Sequence, residues 1–349
     1  MKLIYLTLCV AMLCVSASSF AAPLTTYTQV NVNSATSVND PAPDLVRNNS
    51  GATASVAAVG STTNRAFSNG SGGYTVKSVT DSVSGVASLE DATLKAYASG
   101  GFGSNGMVSG APLPSQIRGV ASSTVEFADS FRTFANNQPF LWSDGDSVSF
   151  SFGVTGSTSV PSGLDGNNSQ VLSSLSFNVY TAGTLDIIDQ LRNFDFGGDY
   201  SPENMARWQA LADEVNARLI DRGFWYLGEA QTAPFPIEPE MIIALDVDTP
   251  SMIDFDFTPG GDFDWMLTLD VGFQLDRVLE NTSVTLDFAH SATAAYQGVA
   301  GTTTYSASGF FPDTLNLDDA PTNNPIPVPA TLPLVALGLL GISLRRRQG

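Results

Sequence analysis

Apolar and polar residues alternate strictly through much of this chain. Val148, Phe150, Phe152 and Val154 are set against Ser147, Ser149, Ser151 and Gly153. A period of two puts one face of a strand in a core and the other in water. Leu175, Phe177 and Val179 repeat the pattern, as do Leu94, Ala96 and Ala98, and Val125 with Phe127. Leu269, Val271, Phe273 and Leu275 form another half-buried strand, and Val284, Leu286 and Phe288 the next. Asp144-Gly145 and Asp165-Gly166-Asn167 punctuate these strands as turns.

One segment changes period. Ser201-Pro202-Glu203 reads as a helix start, with a hydroxyl cap, proline in the first turn and an acid at the positive end of the dipole. Met205, Trp208, Ala212, Val215 and Leu219 then recur at spacings of three and four, a single apolar stripe. The pattern predicts one amphipathic helix over about 202–222, ended by Gly223 and laid across the β structure. Pro234, Pro236 and Pro239 mark the way back to strands, so the helical insertion spans 184–240.

The returning strands are acidic. Ile253, Phe255 and Phe257 alternate with Asp254 and Asp256, Thr258-Pro259-Gly260-Gly261 turns the chain, and Phe263 and Trp265 alternate with Asp262 and Asp264. This predicts a hairpin with four carboxylates on one face. Like charges directly opposite destabilise a hairpin unless they are screened or bridged. The favoured reading is a solvated face that protects an edge from further pairing. The alternative is a Ca2+ ion held by Asp254, Asp256, Asp262 and Asp264. No other cofactor is expected.

Many short strands, frequent turns and one inserted helix argue for a mainly all-β fold, an antiparallel, jelly-roll-like β-sandwich over residues 74–317. Residues 22–73 are rich in Thr, Ser, Asn, Ala and Gly and read as a low-complexity segment. Residues 318–329 form an acidic, proline-containing linker.

The ends carry routing. Lys2, the apolar run Leu3–Val15 and the small residues Ser19 and Ala21 make a secretory signal peptide over 1–21, cut after Ala21. Both cysteines, Cys9 and Cys14, lie inside it, so the mature chain has no thiol for disulfide, nucleophile or metal. At the other end, prolines 325, 327 and 329 precede an uncharged run from Ala330 to Leu344 and then Arg345, Arg346 and Arg347. The run is 15 residues long, short of the about 20 that span a bilayer. It predicts transient membrane contact, with the arginines held on the cytoplasmic side.

This tail resembles the PEP-CTERM sorting signal of Gram-negative bacteria in its VPxPA form, carried by Pro327, Val328, Pro329 and Ala330 and the arginine cluster, with the signal over 330–349. The commonest motif has Glu between the two prolines, where Val328 stands here. The resemblance implies recognition and removal of the tail by an exosortase-type membrane enzyme. It also implies a place at the cell envelope, outer surface or extracellular matrix, and a part in surface or biofilm polymer.

Charge and inventory narrow the chemistry. The chain has 15 basic and 34 acidic residues, a net of −19; four of the basic residues lie in the two routing ends, which leaves 11 and a net of −23 between them. Such a surface repels nucleic acid and anionic headgroups. The single His290 continues the Val284, Leu286, Phe288 phase and reads as a core-edge histidine. The Gly100-Gly101-Phe102-Gly103 stretch lacks the lysine of a phosphate loop. No catalytic residue stands out. The leading expectation is a non-enzymatic exported surface or matrix protein. The alternative is a carbohydrate-binding or glycan-hydrolysing sandwich acting on exopolysaccharide. An aromatic platform with paired carboxylates in one groove would favour that alternative.

Overall fold

The computed structural model describes residues 26–35, 44–48, 52–68, 74–105, 118–160, 170–228, 241–245, 250–276 and 283–321. The chain begins with β1 (Tyr27–Ala35), β2 (Asp44–Asn48), β3 (Thr53–Ser68), β4 (Tyr74–Ser88) and β5 (Thr93–Asn105). Next come β6 (Arg118–Ala135), β7 (Gln138–Pro139), β8 (Val148–Ser159) and β9 (Gln170–Thr181). Two helices follow, α1 (Thr184–Arg192) and α2 (Pro202–Ala217). The chain then forms β10 (Leu219–Leu227), β11 (Ile242–Ile243), β12 (Ser251–Phe257) and β13 (Phe263–Asp276). It closes with β14 (Ser283–Gln297), β15 (Thr303–Ser306) and β16 (Leu315–Asn316).

The strands form two sheets. The first runs β11-β10-β9-β13-β6-β1-β2, with β7 and β15 also on β6 and β16 on β15. The second runs β12-β8-β14-β5-β4-β3. Neighbours are antiparallel except for the short β10–β11 and β15–β16 pairs. The all-β sandwich expected from the alternation is therefore present, and its interior is aromatic. Phe127, Phe131, Phe150, Phe152, Phe177, Phe263 and Trp265 have no exposed surface. Their rings meet at close range: Phe150 lies 4.8 Å from Phe177 and 5.0 Å from Trp265 between centroids. Offset and edge-on contacts of this kind add to area burial. Among the described residues, these rings fill the space between the sheets.

The described structure corrects three expectations. Strands β1, β2 and β3, within 22–73, belong to the two sheets of the sandwich. β1 is hydrogen-bonded on both sides, to β2 and β6, and Val30 and Val32 are buried in the core. Its few apolar residues suffice because both backbone edges are paired, a tertiary fact that composition hides.

The helix is the second. Ser201 does cap it, accepting from the Asn204 N–H, with Pro202 and Glu203 in the first turn. It ends at Ala217, however, and residues from Leu219 onward form β10 against β9. Gly223 lies within that strand, where a Cβ would collide with the Trp225 ring at 2.0 Å. No residue of α2 is buried, and Met205 is 44% exposed. A second helix, α1, occupies the sheet instead, burying Leu185, Ile187 and Ile188. With Tyr27, Ala128, Tyr180 and Met266, Leu185 and Ile188 form a small apolar patch on the outer face of the first sheet; Val215 and Leu219 only reach its margin.

The acidic hairpin is the third. β12 is the edge of the second sheet and pairs with β8, whereas β13 sits inside the first sheet between β6 and β9. The turn at 258–261 is thus a crossing from one layer to the other. Phe255 and Phe257 on one side and Phe263 and Trp265 on the other all point into the core, which is what drives the crossing.

Candidate functional site

The four aspartates expected to share a face are dispersed by that crossing. Asp254 and Asp256 lie exposed on the edge strand, and Asp254 accepts from the Ser151 hydroxyl at 2.6 Å. Asp256 borders a small polar hollow with Asp146 and Gln297. Asp262 pairs with Arg132 at 2.7 Å. Asp264 is completely buried. The set does not converge on one ion, and among the described residues no group of three or more His, Cys, Asp or Glu side chains is placed to hold a metal. His290 lies in β14 beyond Phe288, where the pairing with β5 shifts register before Ala292. Its phase argument stops there, and its side chain is outside the described residues, as are Ala21, Pro327, Val328, Pro329, Ala330, Arg345, Arg346 and Arg347.

Asp264 has a different task. One carboxylate oxygen accepts from the backbone N–H groups of Thr184 and Leu185, at 2.7 and 2.9 Å; the other accepts from the Ser130 hydroxyl at 2.7 Å. These are the free N–H groups at the start of α1, whose own capping position is Gly183 in the left-handed region at φ 83°. Glycine has no side chain with which to cap, so a strand 80 residues away supplies the anion at the positive end of the helix. At the other end, Arg192 makes a two-pronged ion pair with Glu126, at 2.6 and 2.9 Å, and donates to the Tyr27 hydroxyl at 2.7 Å. Thr268 donates to the same carboxylate at 3.1 Å. Both ends of α1 are thereby fastened to the sheet.

A second buried carboxylate, Asp129, ties down the closing turn. It accepts from Ser130 N–H at 2.8 Å, Ser308 N–H at 3.1 Å and the Ser308 hydroxyl at 2.6 Å. Burial pushes both Asp129 and Asp264 up to about 6, opposed by these hydrogen bonds. Because the folded values lie above the ordinary value of about 3.9, the folded state holds more protons between about pH 4 and 6. Stability should then rise on acidification from pH 7 to 5, by on the order of 1 kcal/mol per group. Asp262 and Asp270, also raised mainly by burial, act in the same sense. Urea titrations at the two pH values measure this. Asp264→Asn keeps an oxygen for the helix and an amide for Ser130, and should flatten its share of the slope. An unchanged slope in that variant would remove Asp264 from the account.

The fastened helix forms one wall of a cleft. Asp189 and Gln190 line it from α1, Asn193 from its C-cap, Phe194 and Asp195 from the connecting loop, and Arg207, Ala210, Leu211 and Glu214 from α2. The i, i+3/i+4, i+7 spacing on α2 is what turns these side chains to one face. The cleft is open to solvent and has a volume of about 680 Å³. The Arg207 guanidinium stands 5.6 Å from the Phe194 ring centre. Phe194 meets Phe196 at 4.9 Å, and Phe196 stacks on Tyr200 at 5.1 Å and 19°. Asn193 donates to Asp189 at 2.7 Å, and Glu214 pairs with Arg218 at 2.7 Å. A cleft that carries carboxylates and one ring, Phe194, therefore lies between the helices rather than in the sandwich. Trp265 is in the core, and Trp142 and Trp225 pack against it. Sequence reasoning missed the cleft because the α1 pattern is only nine residues long and its cap is remote. The signal that could have found it was the aromatic run Phe194, Phe196, Tyr200 among Asp195 and Asp199.

Residues 325–347 match the family described as the PEP-CTERM protein-sorting motif. Neither a curated protein nor a solved structure matches the chain. The motif marks an exported, envelope-associated bacterial protein that an exosortase-type enzyme processes. None of the described helices is long and apolar enough to cross a membrane; the apolar run 330–344 lies outside them.

Proposed function

We propose that this is a non-enzymatic surface or extracellular-matrix protein, a packed sandwich delivered to the cell exterior by its tail. The observation that carries the reading is the sorting motif at 325–347, placed directly after the sandwich. The aromatic filling between the sheets supports it, since the described core is built of rings packed on one another. The strongly acidic composition supports it too, because self-repulsion keeps such a protein dispersed outside the cell. Deleting Pro327 to Gly349 should leave export intact, because the amino-terminal signal is separate, but release the protein or change its fraction. Cell fractionation with immunoblotting reads this. A truncated chain that fractionates like the full one would sink the proposal.

The cleft between α1 and α2 favours a second reading, in which the same exported body binds carbohydrate. Phe194 lines it beside carboxylate, amide and guanidinium groups, and the Phe196–Tyr200 stack adjoins that ring, which suits a ligand with an apolar ring face and hydroxyl edges.

A further inference from the structure

We infer that the α1–α2 cleft takes a positively charged sugar, an amino-sugar segment of a glycan; the inference rests on the carbohydrate reading and names its ligand class. The size fits, since about 680 Å³ lies within the about 300–1,000 Å³ of small-ligand sites. The charge selects. Glu214 is already paired with Arg218, which leaves Asp189 and Asp195 against Arg207 in the lining. Asp186, one turn back on α1, is raised by burial and then by the charge of Asp189, a sign of the negative field along that face. A uronate, sulfate or phosphate would be repelled; an ammonium group would be attracted.

The aromatic groups separate a sugar from a simple amine. The Phe194 face is already covered by Arg207. The stacked Phe196–Tyr200 pair continues from it toward solvent, and Tyr200 is 72% exposed. Tyr200 is not in the cleft lining, but this exposed ring, joined through Phe196 to the lining Phe194, offers a platform for the C–H face of a pyranose. Gln190, Asn193 and Arg207 can meet its hydroxyls, and the carboxylates its ammonium. The wall they stand on is held still, because α1 is fastened at Asp264 and at Glu126. A fixed site loses less on ordering when ligand binds.

Calorimetric titration of the full chain in mild detergent tests this with four probes: a glucosamine tetramer, its N-acetylated counterpart, a galacturonate tetramer and spermidine. The glucosamine tetramer should bind, and 0.5 M NaCl should weaken it. Asp195→Asn should weaken it about fivefold, the loss of one partly solvated charge pair. This variant keeps the oxygen that accepts from the Gly197 N–H at 2.6 Å, so the loop is retained. Tyr200→Ala, at an exposed position, should cost about as much. Equal binding of the N-acetylated tetramer would overturn the amino-sugar class and leave carbohydrate binding standing. Spermidine matching the tetramer would overturn both, as would silence from all the sugars. Binding of the galacturonate, or indifference to both substitutions, would overturn the assignment to this cleft.

Discussion

Trp265→Ala lowers the unfolding free energy by about 3–5 kcal/mol, whereas Trp208→Ala lowers it by less than about 1 kcal/mol. Both residues are tryptophans on an apolar stripe, so composition and pattern rank them alike. Their surroundings do not. Trp265 has no exposed surface and touches Phe127, Phe131, Phe150, Phe177 and Phe311, with centroid distances of 5.0 to 6.1 Å. Removing its indole opens a void that rigid rings from both sheets cannot collapse into. Trp208 sits half-buried on α2, none of whose residues is buried. Truncation there returns a partly wet surface to water. Urea melts of the two variants under one condition decide the matter. A loss above about 3 kcal/mol at Trp208 would mean that α2 is part of the core.

Arg192→Met costs about 3 kcal/mol, the low end of the range for breaking a buried ion pair, because the arginine side chain is itself 31% exposed. The cost comes from what is left behind. The Glu126 side chain is only 4% exposed and would keep one hydroxyl partner, Thr268, in place of a two-pronged guanidinium. The last turn of α1 would also lose the cation that complements its carbonyl end. Pairing Arg192→Met with Glu126→Leu should recover most of the loss, since no charge then remains buried. The double-mutant cycle measures this directly. Additive losses would mean that the pair does not couple α1 to the sheet. The same cycle bears on the cleft, whose first wall depends on that attachment.

How far the sequence could be read depended on the range of the forces involved. The alternation at 148–154 and 175–179 was legible because a strand records its burial in its own residues. The cap at Ser201 was legible for the same reason, since the hydroxyl and the N–H it serves are three residues apart. The helix end at 217 was not. Leu219 continues the stripe in sequence, but the open edge of β9 offers residues 219–227 a ladder that outweighs continuing the helix to 222.

The chain by itself determined that this is a β-sandwich and that it is exported and sorted, because alternation and the C-terminal sorting motif are written locally. Only the tertiary structure decided what the acidic residues do. Asp254, Asp256, Asp262 and Asp264 have one spacing and one appearance in sequence. The crossing between sheets leaves two in water, pairs one with Arg132 and buries one under a helix. The cause is the chain path: a turn between alternating segments is compatible with a hairpin or with a change of layer. The choice falls to the aromatic rings, which bury more area facing each other across the core than lying side by side in one sheet. The cleft follows from the same choice, because α1 stands where Asp264 caps it.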